Sequence, residues 1–258
     1  MKERTSSQCL SRRVPATDPA PEIVLVTPVW NDSARLAIYG ETLAEALAEF
    51  PMPVRWIIAD DGSGHGEHAA LSALRDRFSK VYPGVETHFA AAHHGKGSVV
   101  REAWALAPDA DWLAFVDADG SVSGEDMLDL IRHAIRADES VLGIRKRTET
   151  TTIVESPWRG IAHRGFLLAA KLLLDLRCED PQCGAKVIRG ADYRRIAHRL
   201  VENGLAFDSE LLATLARDGS RWREVPVTWI EKKGGKVKPL RDAWGMLGAL
   251  MSVRSRME

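Results

Sequence analysis

Apolar residues fall in short runs separated by stretches in which they recur every three or four positions, and the alternation persists from residue 22 to about residue 145. The runs at 23–29, 54–59, 85–90, 112–116 and 141–144 are too short for helices and read as buried strands. Between them, residues 33–50 place Leu36, Leu43, Ala44 and Leu47 on one helical face, and residues 68–81 do the same with Leu71, Leu74 and Phe78. A third helix is predicted over 98–106. A fourth starts where Ser123 precedes Asp126 by three residues, the spacing of a capped first turn, and runs to about Ala137. Strands alternating with helices predict an α/β sheet flanked by helices.

After Arg145 the pattern changes. Residues 146–157 are Thr-rich and predict a loop, and residues 159–176 are apolar nearly all round, as in a helix that is buried or covered by a partner. A strand at 185–188, helices at 191–200 and 208–216, and a strand at 222–229 follow. A basic loop at 232–238 leads to a last helix over 240–254, with Leu240, Trp244, Leu247, Leu250 and Met251 near one face. That pattern suits either docking on the core or lying in a membrane interface. Residues 1–21 carry four basic residues and three prolines without an apolar core, so they read as a mobile leader rather than a secretory signal. Residues 22–258 then form one domain, with a nucleotide-binding half over 22–145 and a second half over 146–258.

Composition narrows the function. With 45% hydrophobic residues in 258, the chain can bury a sizeable core. Lys and Arg number 35 against 36 Asp and Glu, a balance that removes the electrostatic case for a nucleic-acid binder. Three cysteines, Cys9, Cys178 and Cys183, build neither a disulfide framework nor a paired zinc site and suit a reducing cytoplasm. The richest apolar stretch, 165–176, is interrupted by Lys171 and Asp175, so no bilayer span is expected.

Two acidic clusters end predicted strands: Asp60-Asp61-Gly62-Ser63 and Asp117-Ala118-Asp119-Gly120. In open α/β sheets ligands bind beyond the carboxyl ends of the strands, so both clusters line one crevice. Carboxylates as close as Asp117 and Asp119 repel one another unless a cation lies between them, and a hard divalent ion shared with phosphate oxygens is the usual resident. Alone, Asp-x-Asp is also ordinary turn chemistry. Gly95-Lys96-Gly97 opens a helix after a strand, where backbone can approach a ligand beside a positive charge, but it lacks the spacing of a P-loop.

Taken in order, Pro28-Val29-Trp30-Asn31-Asp32, Asp60-Asp61-Gly62-Ser63, Gly95-Lys96-Gly97, Asp117-Ala118-Asp119 and Asp180-Pro181-Gln182-Cys183-Gly184-Ala185-Lys186 resemble the inverting family-2 glycosyltransferases of GT-A fold. The last motif, with Phe207-Asp208-Ser209-Glu210-Leu211-Leu212, Glu224-Val225-Pro226-Val227 and Gly235-Lys236-Val237, is similar to the dolichyl-phosphate mannose synthase and polyprenyl-phosphate glycosyltransferase branch. The resemblance implies that Pro28, Trp30, Asp32 and Asp61 hold the nucleoside of a nucleotide sugar, with Lys96 and Asp208 also on the donor side. It implies that Asp117 and Asp119 hold Mg or Mn, with Gln182 completing the shell. Arg145, Arg164 and Lys236 fall where the family places cations against the donor diphosphate and an acceptor phosphate. Trp30 stands in place of the usual Tyr, Asp32 of Glu, Gly120 of Leu, Pro181 of Thr and Gly235 of Ser.

The expectation is therefore a metal-dependent, inverting transfer of a hexose, mannose as first guess, from GDP-mannose or UDP-glucose to a polyprenyl phosphate. The enzyme would be cytoplasmic and peripheral to the membrane face. An acceptor phosphate is already anionic and needs cations rather than a base; a soluble hydroxyl acceptor would need a base such as Asp208 or Glu210. A non-catalytic nucleotide-sugar-binding protein is the third reading, since fold does not fix function. Cys183 has no identifiable partner histidine, so packing is the expected role.

Overall fold

The computed structural model describes residues 20–154, 157–232 and 239–257. The described strands are β1 (Ile23–Val29), β2 (Val54–Asp60), β3 (Val85–Phe89), β4 (Trp112–Val116), β5 (Ser140–Ile144), β6 (Ile153–Val154), β7 (Ala185–Arg189), β8 (Trp222–Pro226) and β9 (Trp229–Ile230). Seven of them make one sheet in the order β3-β2-β1-β4-β7-β5-β8. All neighbours are parallel except β7, which runs antiparallel to both β4 and β5.

Alternation along each strand divides the core into two layers. Ile23, Leu25 and Val29 of β1 face one side, where α1 (Ser33–Glu49), α2 (His65–Phe78) and, after α3 (Lys96–Trp104) in the chain, α4 (Gly124–Ala137) pack. Val24 and Val26 face the other. There α3 packs with α5 (Pro157–Leu174), α6 (Gly190–Ile196), α7 (Phe207–Arg217) and α8 (Pro239–Met257). Trp56 is fully buried between the sheet and Phe78, with ring centroids 5.4 Å apart, and its indole N–H donates to Thr27 Oγ1 at 3.0 Å. Truncating such a residue typically costs about 3–5 kcal/mol.

The chain leaves β1 toward β2 and β3 and then returns to place β4 on the opposite side of β1. This reversal opens a crevice at the carboxyl ends of β1 and β4, and both acidic clusters reach it. The expected cap of α4 is present: Asp126 N donates to Ser123 Oγ at 3.0 Å.

Several boundaries differ from the sequence pattern. The predicted strand 222–229 is two strands. Pro226 cannot donate to the ladder, the chain leaves the main sheet there, and Trp229 pairs instead with Ile153, inside the stretch expected to be a loop. Helices α2 and α3 start earlier than periodicity suggests, at His65 and Lys96, because Gly64 and Gly95 rather than the first apolar residue mark their caps. The predicted 191–200 helix ends at Ile196 and closes in a 3-10 turn over Ala197–Arg199. Helix α5 ends at Leu174, where Asp175 adopts φ 51°.

Helices α5 and α8 pack together, burying Ala170 and Leu174 of one and Leu250 and Val253 of the other. Leu168, Leu172 and Met251 point outward. The predicted apolar face of the last helix is thus split: Leu250 is buried, Leu247 half-buried and Met251 exposed, while the side chains of Leu240 and Trp244 lie outside the described residues. Among the described residues no helix is long and apolar enough to cross a membrane.

Candidate active site

Asp117 follows the last residue of β4 and is fixed through its backbone, its N–H donating to Gly184 O at 2.9 Å. Gly184 is required there, because a Cβ at that position would lie 1.9 Å from Asp117 Oδ2. Asp119, after the single alanine, accepts from Ser121 N at 2.9 Å through Oδ1 and meets Arg35 Nη1 at 3.5 Å through Oδ2. Arg35 also binds the carboxylate of Asp32, so Asp32 is tied to Asp119 by one guanidinium. Gly120 turns the chain at φ 69° directly above the Tyr39 ring. Burial, reinforced by Asp119 and Asp117, drives the Tyr39 phenol far above its ordinary range, so it stays neutral.

Behind the turn lies a ladder of alternating charge, half-exposed at Asp117 and buried at the Lys186–Asp208 end. Lys96 Nζ is 2.9 Å from Asp117 Oδ1 and 3.1 Å from Asp208 Oδ2. Lys186 Nζ is 2.7 Å from the other Asp208 oxygen and donates to Cys183 O at 2.6 Å. Both ammonium groups sit over the Phe115 ring, at 4.6 and 5.3 Å from its centroid. Burial works against charge on Asp208, but the two lysines outweigh it and hold its pKa below the ordinary carboxylate value. Burial raises that of Asp117; Asp119 and Asp208 add to this against the pull of Lys96, and the net direction is up. Lys96 is lifted by Asp117 and Asp208 in spite of its burial and remains charged.

The side of the crevice expected to hold the nucleoside is built from the turn after β1. Pro28 lies in β1 opposite Ala59, and Asn31, at φ 48°, donates its N–H to Ser63 Oγ at 2.7 Å. Trp30 is 40% exposed and stacks on His93. Asp60 is fully buried and accepts from Ser63 N at 2.9 Å. Asp61 Oδ1 accepts from His94 N at 2.9 Å and Oδ2 from Gly95 N at 2.8 Å, so this carboxylate shapes the loop leading to Lys96. Gly62, at φ 65°, permits the close approach of that loop; a Cβ would lie 2.2 Å from Ala92 C.

The Gly95–Gly97 backbone is braced from the second half of the chain. Gly97 N donates to Asn203 O at 2.7 Å, and Arg101 holds both Glu202 O and Asn203 Oδ1. Glu210 Oε2 accepts from Val201 N and Glu202 N, at 3.0 and 2.8 Å, while Oε1 accepts from Arg256 Nη2 at 2.9 Å near the end of α8. Glu210 therefore links the last helix to the loop behind Lys96.

Of the expected phosphate-side cations, Arg145 is the one whose side chain falls among the described residues. Arg145 is bound to Asp180, Nε to Oδ2 at 2.7 Å and Nη2 to Oδ1 at 2.9 Å, and lies 5.3 Å from the Trp229 ring centroid. Arg164 is on α5, but its side chain lies outside the described residues, as does all of Lys236. Gln182 precedes Gly184 by two residues on the segment beside Asp117; its N–H donates to Asp180 Oδ1 at 3.2 Å. Cys183 is buried, and burial with the nearby Asp180 pushes its thiol up to about 12, as befits a packing residue.

The structure thus joins Asp32, Asp117, Asp119, Lys96 and Asp208 in one network and places Pro28, Trp30 and Asp61 beside it. Lys186, Arg35 and His93 were not assigned roles from sequence. Lys186 alone carried a signal, a lysine between the apolar strand residues Ala185 and Val187. Asp208 and Glu210, the two residues named as examples of a base for a hydroxyl acceptor, are engaged by lysines and by backbone N–H groups with Arg256. Among the described residues no three His, Cys, Asp or Glu side chains gather as a metal cage. Asp117 and Asp119 supply hard oxygen donors at one turn, which fits an ion that takes the rest of its shell from phosphate oxygens.

A family model described as Glycosyl transferase family 2 matches residues 24–192. Dolichyl-phosphate beta-glucosyltransferase of Saccharomyces cerevisiae is 26% identical over 246 residues, covering 89% of this chain and 73% of that protein. Undecaprenyl-phosphate mannosyltransferase of Micrococcus luteus is 26% identical over 221 residues, covering 84% and 86%. Among solved structures, glucosyl-3-phosphoglycerate synthase from Mycobacterium tuberculosis, in complex with Mn2+, UDP and glucosyl-3-phosphoglycerate, superposes with a TM-score of 0.61. It is 17% identical, and the match covers 92% of this chain and 80% of that one. A mannosyltransferase from Pyrobaculum calidifontis in complex with GDP-Man and Mn2+ superposes with a TM-score of 0.56 at 13% identity, covering 92% and 74%.

Proposed function

The chain belongs to glycosyl transferase family 2, with a GT-A fold, and from that premise we propose that it moves a hexose from a nucleotide sugar to a polyprenyl phosphate, with inversion. The observation that carries the acceptor class is the state of Asp208. A hydroxyl acceptor must lose a proton to a base as it attacks; a phosphate oxygen is already a nucleophile. Asp208 is clamped by Lys96 and Lys186 and held below the ordinary carboxylate pKa, which suits it to fixing ammonium groups and not to taking a proton. Glu210 is likewise committed. The relatives whose names state dolichyl or undecaprenyl phosphate agree with this reading.

In this proposal Asp117 and Asp119 hold a divalent ion, Mg or Mn, with Gln182 beside them. Such an ion would neutralise charge growing on the departing diphosphate. Lys96 orients Asp117 and brings a fixed positive charge to the crevice without reorganisation as the bond breaks. Trp30 offers an apolar face to the base, and Pro28, Asp32 and Asp61 shape the nucleoside pocket. Arg145, Arg164 and Lys236 bring the two phosphates together against their repulsion. The sugar is glucose or mannose, the two that the relatives' names give. Outward Leu168, Leu172 and Met251 on the packed helices α5 and α8 suit peripheral contact with the membrane carrying the lipid.

The test is a panel of nucleotide sugars with a short-chain prenyl phosphate and Mn or Mg, read by mass spectrometry. Sugar-phosphate-lipid product supports the reading; donor turnover only onto hydroxyl compounds refutes it.

A further inference from the structure

The stacked pair Trp30 and His93 occupies the space in which the proposed function seats the donor's nucleobase, and the inference rests on that reading. The indole and imidazole centroids are 4.1 Å apart and the rings are 13° from parallel. His93 Nδ1 lies 2.8 Å from Asp61 Oδ2 and 3.3 Å from Asp61 O. Both neighbours of Nδ1 are acceptors, so that nitrogen carries the proton and donates. A flat nitrogen heterocycle therefore stacks on Trp30 and presents an N–H to Asp61, the two contacts that a pyrimidine or purine base would make in the same place.

Both arrangements cannot hold at once. A base sandwiched between two rings needs them roughly 7 Å apart, two contact thicknesses, and the pair leaves no such gap. The space that touches both the Trp30 face and the Asp61 carboxylate is already filled by the imidazole. We infer that His93 holds the nucleobase's place in the empty enzyme and that the donor binds by displacing its ring from Trp30 and Asp61.

The surroundings permit that exchange. The His93 side chain is 46% exposed, so it can rotate outward into water. The loop need not move with it, because the N–H groups of His94 and Gly95 keep Asp61 and the Lys96 turn together. Displacement frees one acceptor position of Asp61 Oδ2, beside the one that Gly95 N occupies, for a base N–H. A pocket occupied by its own side chain binds ligand with an affinity reduced by the fraction of molecules in which the pocket is open.

Titration calorimetry with UDP and GDP, in the presence of Mn, compares the wild-type protein with His93→Ala. The variant is expected to bind its preferred nucleotide about threefold to tenfold more tightly. In parallel, the imidazole carbon-proton signals of His93, identified as those missing from His93→Ala, should shift on saturating the wild-type protein as the ring leaves the indole face. Equal or weaker binding by His93→Ala, or His93 signals unmoved at saturation, would overturn the inference while leaving the donor site in place. Binding of neither nucleotide by wild-type protein would instead overturn the nucleotide-sugar reading, and this inference with it.

Discussion

Lys186 and Asp208 form a fully buried ion pair, 2.7 Å from Nζ to Oδ1, in which the lysine comes from a central strand and the aspartate from the first turn of α7. The pair ties α7 to the sheet and aims the second Asp208 oxygen at Lys96. Breaking it leaves a carboxylate with half its compensation. Lys186→Met should therefore lower unfolding stability by about 3–5 kcal/mol in urea titrations. The double variant Lys186→Met with Asp208→Leu should regain part of that loss without regaining turnover.

The same pair sets the acid limit of the fold. Asp208 has its pKa depressed in the folded state, so its contribution is complete above the ordinary carboxylate value and is lost as pH falls through the folded value. Stability should fall as pH drops below about 4, and Asp208→Asn should flatten that part of the profile. Thermal melts across about pH 2–7, which brackets carboxylate titration, make the comparison.

Gly184→Ala tests how tightly Asp117 must be held. The new methyl would lie 1.9 Å from Asp117 Oδ2, so either the carboxylate or the strand has to shift. Displacements of this size commonly cost about 100-fold in rate. Steady-state turnover should fall at least that far, while circular dichroism continues to report a folded protein. Asp119→Ala should likewise abolish turnover, and the wild-type protein should lose activity in EDTA and recover it with Mn or Mg.

Arg256→Ala tests whether the last helix reaches the donor site. Arg256 is partly exposed and its pairing with Glu210 is worth little to stability, under about 1 kcal/mol. Its loss nevertheless loosens the carboxylate that holds the loop against Gly95 and Gly97. The donor KM should rise about threefold to tenfold with a small change in melting temperature, and Arg256→Lys should restore part of the effect.

The main sheet was legible because its strands are uninterrupted apolar runs and its helices keep one apolar face; β1 and β4 fall where the pattern places them. The split at Pro226 was not, since a single run of β-formers does not say which of two sheets each half joins. Asp117 and Asp119 announced themselves by spacing. Lys186 carried only the signal of a lysine among apolar strand residues; its pairing with Asp208, 22 positions away, follows from tertiary geometry. Arg145 illustrates the opposite limit. Its place near the crevice was expected from the family pattern, but the strength of its engagement by Asp180 follows from tertiary geometry that spacing does not contain.

The proposed function gives this family-2 enzyme a phosphate rather than a hydroxyl acceptor, because Asp208 is committed to two lysines and Glu210 to backbone N–H groups and Arg256. Transfer from UDP-glucose and GDP-mannose to a short-chain prenyl phosphate, measured beside the matching prenyl alcohol and simple sugars under identical conditions, tests it most directly. Transfer to the phosphate that is lost in Arg164→Ala, with none to the alcohol, is the predicted result. Robust transfer to a hydroxyl with none to the phosphate would overturn the phosphate-acceptor assignment.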